Sequence, residues 1–198
     1  AVGPSVLAEM RTRIDRRLGE EVLAVGQELH RPMVLAVESP ESVGVDRICA
    51  AAACYETLER ACVVASFGTA ITIDCVNDEG VFLGGAILPG LNMQARALHE
   101  FTAGLPLTTI EETSVVYGAS TEQAIRNGVV IGVVGALREI TERYATVLHV
   151  WPRFVVTGGG FVLVRRHCEF IDNIVPDLCI RGIAIAHRKH FDSFGEEP

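Results

Sequence analysis

Residues 62–90 read CVVASFGTAITIDCVNDEGVFLGGAILPG, and the fold is decided in this stretch. Residues 62–66 (CVVAS) form a continuous apolar run, the pattern of a strand buried on both faces. Gly68 interrupts it, and residues 70–76 (AITIDCV) then alternate with period two. Asn77-Asp78-Glu79-Gly80 supplies a turn, and residues 81–88 (VFLGGAIL) return as a third strand. Pro89-Gly90 ends that strand, and residues 91–100 predict a short helix.

Downstream, a polar link around residues 108–114 leads to a long helix opening at Ser120, where Ser120 and Gln123 have capping-box spacing. Gly128, Gly132 and Gly135 fall near one face of that helix and predict a close backbone approach. Residues 154–157 (FVVT) read as another buried strand ending in Gly158-Gly159-Gly160. A helix to about Arg166, a short strand near Phe170–Ile171 and a last helix from Asp177 to His190 are expected after it. Upstream, the Ala-rich run from Val45 to Leu58 predicts a helix packed closely on a sheet. Ser5 is a candidate cap for a helix to about Leu18 with Leu7, Met10 and Ile14 on one face. The apolar runs 22–25 and 33–37 are plausible strands. From residue 62 onward the order is three strands, helices, strand, helix, strand, helix, which is an α/β pattern. The tail after Ser193 is expected to fray.

Composition narrows the chemistry. Of the 198 residues 49% are hydrophobic but only 6% aromatic, so the core must be built from Ala, Val, Ile and Leu. That suits a largely parallel sheet covered by helices. A formal charge of -8 argues against nucleic-acid binding, which needs a basic face. Lys189 is the only lysine and lies in no Gly-rich loop, which excludes a P-loop kinase. The six cysteines form no CxxC pair and no Cys/His metal spacing, which predicts reduced thiols in a cytosolic protein. The longest apolar run, residues 129–137, is too short to span a bilayer.

Three short segments could carry chemistry. At Ser66-Phe67-Gly68-Thr69-Ala70, between two strands, a Gly lets backbone approach a phosphate and Thr69 can donate a hydroxyl hydrogen bond. The same residues also suit an ordinary hairpin turn. Thr157-Gly158-Gly159-Gly160 follows a buried strand and is expected to open a helix, where bare backbone can meet a nucleotide. A tight strand-to-helix turn needs the same glycines. Asp46-Arg47 opens the Ala-rich helix: Asp46 can accept a proton from an attacking hydroxyl, and Arg47 offers a fork for a carboxylate or hydroxyl. An acid there also serves simply as a helix-start charge. The histidines pair with no nucleophile in the sequence and read as surface or packing residues.

Taken together, the segments GVDR (44–47), SFGTAITID (66–74), GGAILPGL (84–91), TAGLP (102–106), GASTEQAI (118–125), TGG (157–159) and PDLCIRG (176–182) resemble the type III pantothenate kinase family. The resemblance runs from about Ala1 to His190. It implies an actin-like ATPase (ribonuclease H-like) fold, whose halves have βββαβαβα order. Residues 61–192 would be one complete C-terminal half and residues 1–60 the remainder of a second, with 193–198 a disordered tail. The implied reaction is ATP-dependent phosphorylation of pantothenate to 4′-phosphopantothenate, the first step of coenzyme A biosynthesis.

By the same resemblance Asp46 is the general base, and Gly44, Val45, Asp46 and Arg47 bind pantothenate. Thr121 would reach the pantothenate pocket across a homodimer interface. Gly68 and Thr69 would touch the phosphates of ATP, and Gly158 and Gly159 would lie under its adenosine. ATP with Mg2+ is the implied co-substrate, and potassium or ammonium the implied activating cation. The chain departs from the family's pattern in two places. Ser66 stands where the family carries a cation-holding Asp, and its neutral oxygen predicts weakened cation binding. No Asp-x-Gly-Asn-Thr phosphate loop occurs in the sequence, which predicts that the chain lacks the family's N-terminal segment. Those departures keep a second reading open, a catalytically degenerate binding or regulatory protein on the same fold. A sugar or acetate kinase of the superfold fits less well, because GVDR and GGAILPGL match the pantothenate branch.

Overall fold

The computed structural model describes residues 4–19 and 22–192. Continuous apolar runs and short turns give a five-stranded sheet from β1 (Cys62–Phe67), β2 (Ala70–Val76), β3 (Phe82–Pro89), β4 (Arg153–Thr157) and β5 (Asn173–Ile174). Its spatial order is β3-β2-β1-β4-β5. The first three strands are antiparallel neighbours, while β4 runs parallel to β1 and β5 parallel to β4. Helices α1 (Pro4–Leu18), α2 (Val45–Leu58), α3 (Leu91–Glu100), α4 (Thr121–Leu148) and α5 (Leu178–Asp192) complete the fold. The strand and helix order expected of an actin-like half is thus present from Cys62 onward, with 3-10 turns replacing one helix.

Period-two alternation sorts the strand side chains between two cores. Val63, Ala65, Phe154 and Val156 face α4, packing with Val130, Val133 and Leu137. Cys62, Val64 and Val155 face α2 and α5, packing with Ala50, Ala51, Ala53 and Ile185. The run of alanines on α2 keeps its backbone close to the sheet. Cys49 and Ile48 on the same helix have no exposed surface.

α4 is capped as the sequence predicts: the Gln123 amide donates to Ser120 Oγ at 3.3 Å. The Gln123 side chain reciprocates one residue early, accepting from the Ala119 amide at 2.9 Å.

Five expectations need correction. The runs 22–25 and 33–37 are not strands. The first makes a lone bridge, Val25 to Leu29, and the second touches the sheet through a single bridge of Leu35 to Phe82. The helix expected after Gly160 is a pair of 3-10 turns, Gly159–Leu163 and Arg165–His167. The last strand lies at Asn173–Ile174, a few residues beyond Phe170–Ile171, which pack instead against the α4-side core. Gly128, Gly132 and Gly135 approach no other backbone among the described residues, with nothing there within 4 Å of a Cβ on any of them. Helix α1 begins at Pro4, so Ser5 lies inside the helix rather than before it. The tail after Ser193 is outside the described residues.

Candidate active site

The polar cleft sits where β1, β2 and β4 run past the cover of α2 and α5. Ser66 is opposite Thr72 on β2 and opposite Thr157 on β4, so three hydroxyl residues stand in one row on one face of the sheet. All three line a cavity of about 590 Å³ together with Asp46, Thr69 and Gly158. Asp46 is the one carboxylate in that lining.

Asp46 comes to the cavity from the first turn of α2, whose N-cap is Gly44. A Cβ at Gly44 would stand 2.6 Å from Asp46 Oδ1 and 3.8 Å from Arg47 Cδ, so both side chains lean over a bare backbone. Val45, half-buried, precedes Asp46 at the start of the same turn.

The turn between β1 and β2 is closed by its own glycine, Gly68, whose amide donates to the Ala70 carbonyl at 3.0 Å, and is braced by its neighbours. Gly90 donates to the Thr69 carbonyl at 2.9 Å, and a Cβ on Gly90 would overlap the Gly68 and Thr69 carbonyls. From the other side Gly158, at φ +91°, leaves no room for a Cβ against Phe67. This is the close approach that only glycine permits. Phe67, Gly68 and Thr69 form a common wall between the Asp46 cavity and a second one of about 610 Å³. Gly159, Gly160, Asn92 and Arg96 line that second cavity. Nothing stands within 4 Å of a Cβ on Gly159, so its backbone is open to a ligand. The 3-10 segment after it is too short to carry a helix dipole, so the anion argument made for a helix start there does not apply.

Five predicted site residues lie outside the lining of the Asp46 cavity: Gly44 and Val45 stand beside Asp46 at the start of α2, Gly159 lines the second cavity, and Arg47 and Thr121 point elsewhere. Arg47 is turned toward β2, where its guanidinium grips the Asp74 carboxylate through Nε at 3.0 Å and through Nη2. Thr121 lies in an apolar groove between α3 and α4 with Phe101 and Leu98. Phe101 is 85% exposed there.

Sequence reasoning missed Asp74, Thr72, Cys179 and Arg96. Period two places Thr72 and Asp74 on one face of β2, but only the register with β1 aligns that face with Ser66. Asp74 is 1% exposed. Burial pushes its carboxyl upward, and the hydrogen bond and charge of Arg47 oppose that shift.

Comparison with known proteins gives the family. The sequence profile of the type III pantothenate kinase family matches residues 1–143. A type III pantothenate kinase of Rhodospirillum rubrum is 33% identical over 191 residues, covering 96% of this chain and 74% of that protein. One from Dehalococcoides mccartyi is 34% identical over 166 residues, covering 84% of this chain and 64% of its own length. Among solved structures, one described as a Baf family transcriptional activator from Campylobacter jejuni superposes with a TM-score of 0.61. It is 21% identical, with 81% of this chain and 71% of that one covered, a likeness of fold alone.

Proposed function

This chain belongs to the type III pantothenate kinase family, and we propose that it contributes the catalytic base and one phosphate-binding turn to ATP-dependent phosphorylation of pantothenate. The observation carrying this reading is that Asp46 shares one cavity with Ser66, Gly68, Thr69 and Gly158. Pantothenate would lie against Gly44, Val45, Asp46 and Arg47. ATP, as its Mg2+ complex, would place its phosphates on Gly68 and Thr69 and its adenosine over Gly158 and Gly159. Asp46 takes the proton of the substrate hydroxyl as its oxygen bonds to the γ-phosphorus; the bond from that phosphorus to the β–γ bridging oxygen breaks, and ADP leaves. Such a transfer depends mainly on positioning and charge stabilisation.

A tightly held monovalent cation does not fit the row at Ser66. The row offers hydroxyls, Asp46 is the cavity's one carboxylate, and Asp74 is already engaged by Arg47. The reading therefore routes no step through such an ion.

Homodimer formation belongs to the same proposal. The groove holding Thr121 shares no lining residue with this chain's own Asp46 cavity, so Thr121 would serve such a pocket from a second copy. Among the described residues no helix is long and apolar enough to cross a membrane. A cytoplasmic place in coenzyme A biosynthesis follows from the proposed reaction.

The test is phosphate transfer from ATP-Mg2+ to pantothenate, beside Asp46→Ala. A general base contributes about 10²–10⁴-fold. A loss of that size in turnover is expected, and an Asp46→Ala protein as active as the parent would sink the reading. Pantothenate binding without turnover in the parent chain would instead favour a binding or regulatory protein, the reading that the uncharged Ser66 supports.

A further inference from the structure

The Arg47–Asp74 pair joins the start of α2 to the middle of β2, next to the cleft but outside its lining. Arg47 Nε lies 3.0 Å from Asp74 Oδ1 and 3.3 Å from Oδ2, and Nη2 also donates to Oδ1. One edge of the fork, Nε with Nη2, is thereby fixed. Nη1 takes no hydrogen-bond partner among the described residues. The carboxylate is sealed, with Asp74 1% exposed, whereas the Arg47 side chain keeps 14% of its surface.

The sheet is built to admit this carboxylate. Asp74 is flanked by Val64 on β1 and by Gly85 on β3. A Cβ on Gly85 would come 2.6 Å from Asp74 Oδ1 and would overlap the Ile73 carbonyl. The guanidinium carbon of Arg47 lies 5.7 Å from the Phe82 ring centroid, a contact that fixes its second face.

Stability alone does not favour such a pair. Desolvating two charges offsets most of their attraction, and well-packed apolar residues of similar volume often serve as well. What the pair provides is a cation of fixed orientation. It sits beside the cavity, because Thr72, on the same face of β2 as Asp74, lines that cavity with Asp46. The Arg47 stem and the Asp46 carboxylate also lean over the same Gly44.

We propose that Asp74 is a positioning residue for substrate selection, holding Arg47 so that its remaining Nη1 edge meets the carboxylate end of the acceptor substrate whose hydroxyl faces Asp46. This rests on the pantothenate reading above. A clamp that merely ties helix to sheet would alter folding and leave ligand preference unchanged. A positioning pair sets the preference for an acidic ligand over its neutral counterpart.

The experiment is calorimetric titration of the chain with pantothenate and with pantothenol, which carries an alcohol in place of the carboxylate. The parent is expected to prefer pantothenate by about tenfold or more, the worth of a charge-assisted hydrogen bond. In Asp74→Asn the preference falls below about threefold while pantothenol affinity is kept. Arg47→Lys, which can still pair with Asp74 but has no second edge to offer, loses the preference in the same way. A folded Asp74→Asn that keeps the preference overturns the proposal. If Asp74→Asn does not fold, Arg47→Lys decides, and a kept preference there overturns it equally. A parent that binds both ligands alike sinks this inference alone, and one that binds neither sinks the pantothenate reading with it.

Discussion

Gly182 of α5 lies directly on the backbone of Cys49 in α2, so close that a Cβ at Gly182 would overlap the Cys49 carbonyl. The two helices cross there over the sheet, both contributing to one core. The crossing also serves the cleft, because Asp46 opens α2 and Cys179 opens α5, and both line the same cavity.

Gly182→Ala is therefore expected to force the helices apart at a point where neither can yield. Overpacking of this kind costs about 1–3 kcal/mol, and the upper end is expected because the obstructing atoms are backbone. Urea denaturation of parent and variant measures it, and an unchanged midpoint would mean that the helices do not cross at this distance.

On the proposed kinase reading, Ser66 is expected to set the ion requirement. Turnover of the parent is expected to be similar in potassium and in tetramethylammonium buffers. Ser66→Asp, which adds a carboxylate between Thr72 and Thr157, should gain a dependence on potassium. A parent rate that rises steeply with potassium would show that hydroxyls alone hold the ion.

The Asp74 carboxyl supplies a pH signature. Burial raises it and Arg47 opposes that rise. Arg47→Met removes the opposition, so the folded-state value moves further above the unfolded one of about 3.9. A carboxyl raised in this way binds more protons in the folded state than in the unfolded. Its stabilising contribution is full below the unfolded value and is lost as pH rises through the folded one. The stability deficit of Arg47→Met against the parent should grow from pH 4 to pH 8 by urea denaturation. A constant deficit would mean that Asp74 does not titrate in that range.

The thiols differ in accessibility. Burial pushes Cys49 and Cys75 up to about 12 and Cys168 to about 11. Cys179 is also raised by burial, but it is only partly covered and faces the Asp46 cavity. A thiol reagent at about pH 8 is expected to label Cys179 first, with bound pantothenate slowing it. In urea all six cysteines should react. Labelling of Cys49 ahead of Cys179 would contradict the packing of α2.

The sequence by itself determined the strands from Cys62 to Pro89 and helices α2 and α3, with boundaries within a residue or two, and the start of α4. Their signals are local: apolar periodicity, Gly and Pro at the ends, and a capping residue before the longest helix. It also singled out Asp46, Ser66, Gly68, Thr69 and Gly158, which do meet at one cavity.

Other features depended on what lay across from them. The runs 22–25 and 33–37 are as apolar as a strand, but a strand exists only where a partner offers a ladder. Leu35 finds one bridge to Phe82 and nothing further in the sheet. After Gly160, packing of Phe161 and Val164 into the α4-side core gives 3-10 turns in place of a helix. The partner of Arg47 was not legible either. It lies 27 residues away in sequence and is selected by where α2 crosses β2. Local free energies set which segments become strand or helix; register and helix crossing, which are long-range contacts, decided which side chains those segments brought together.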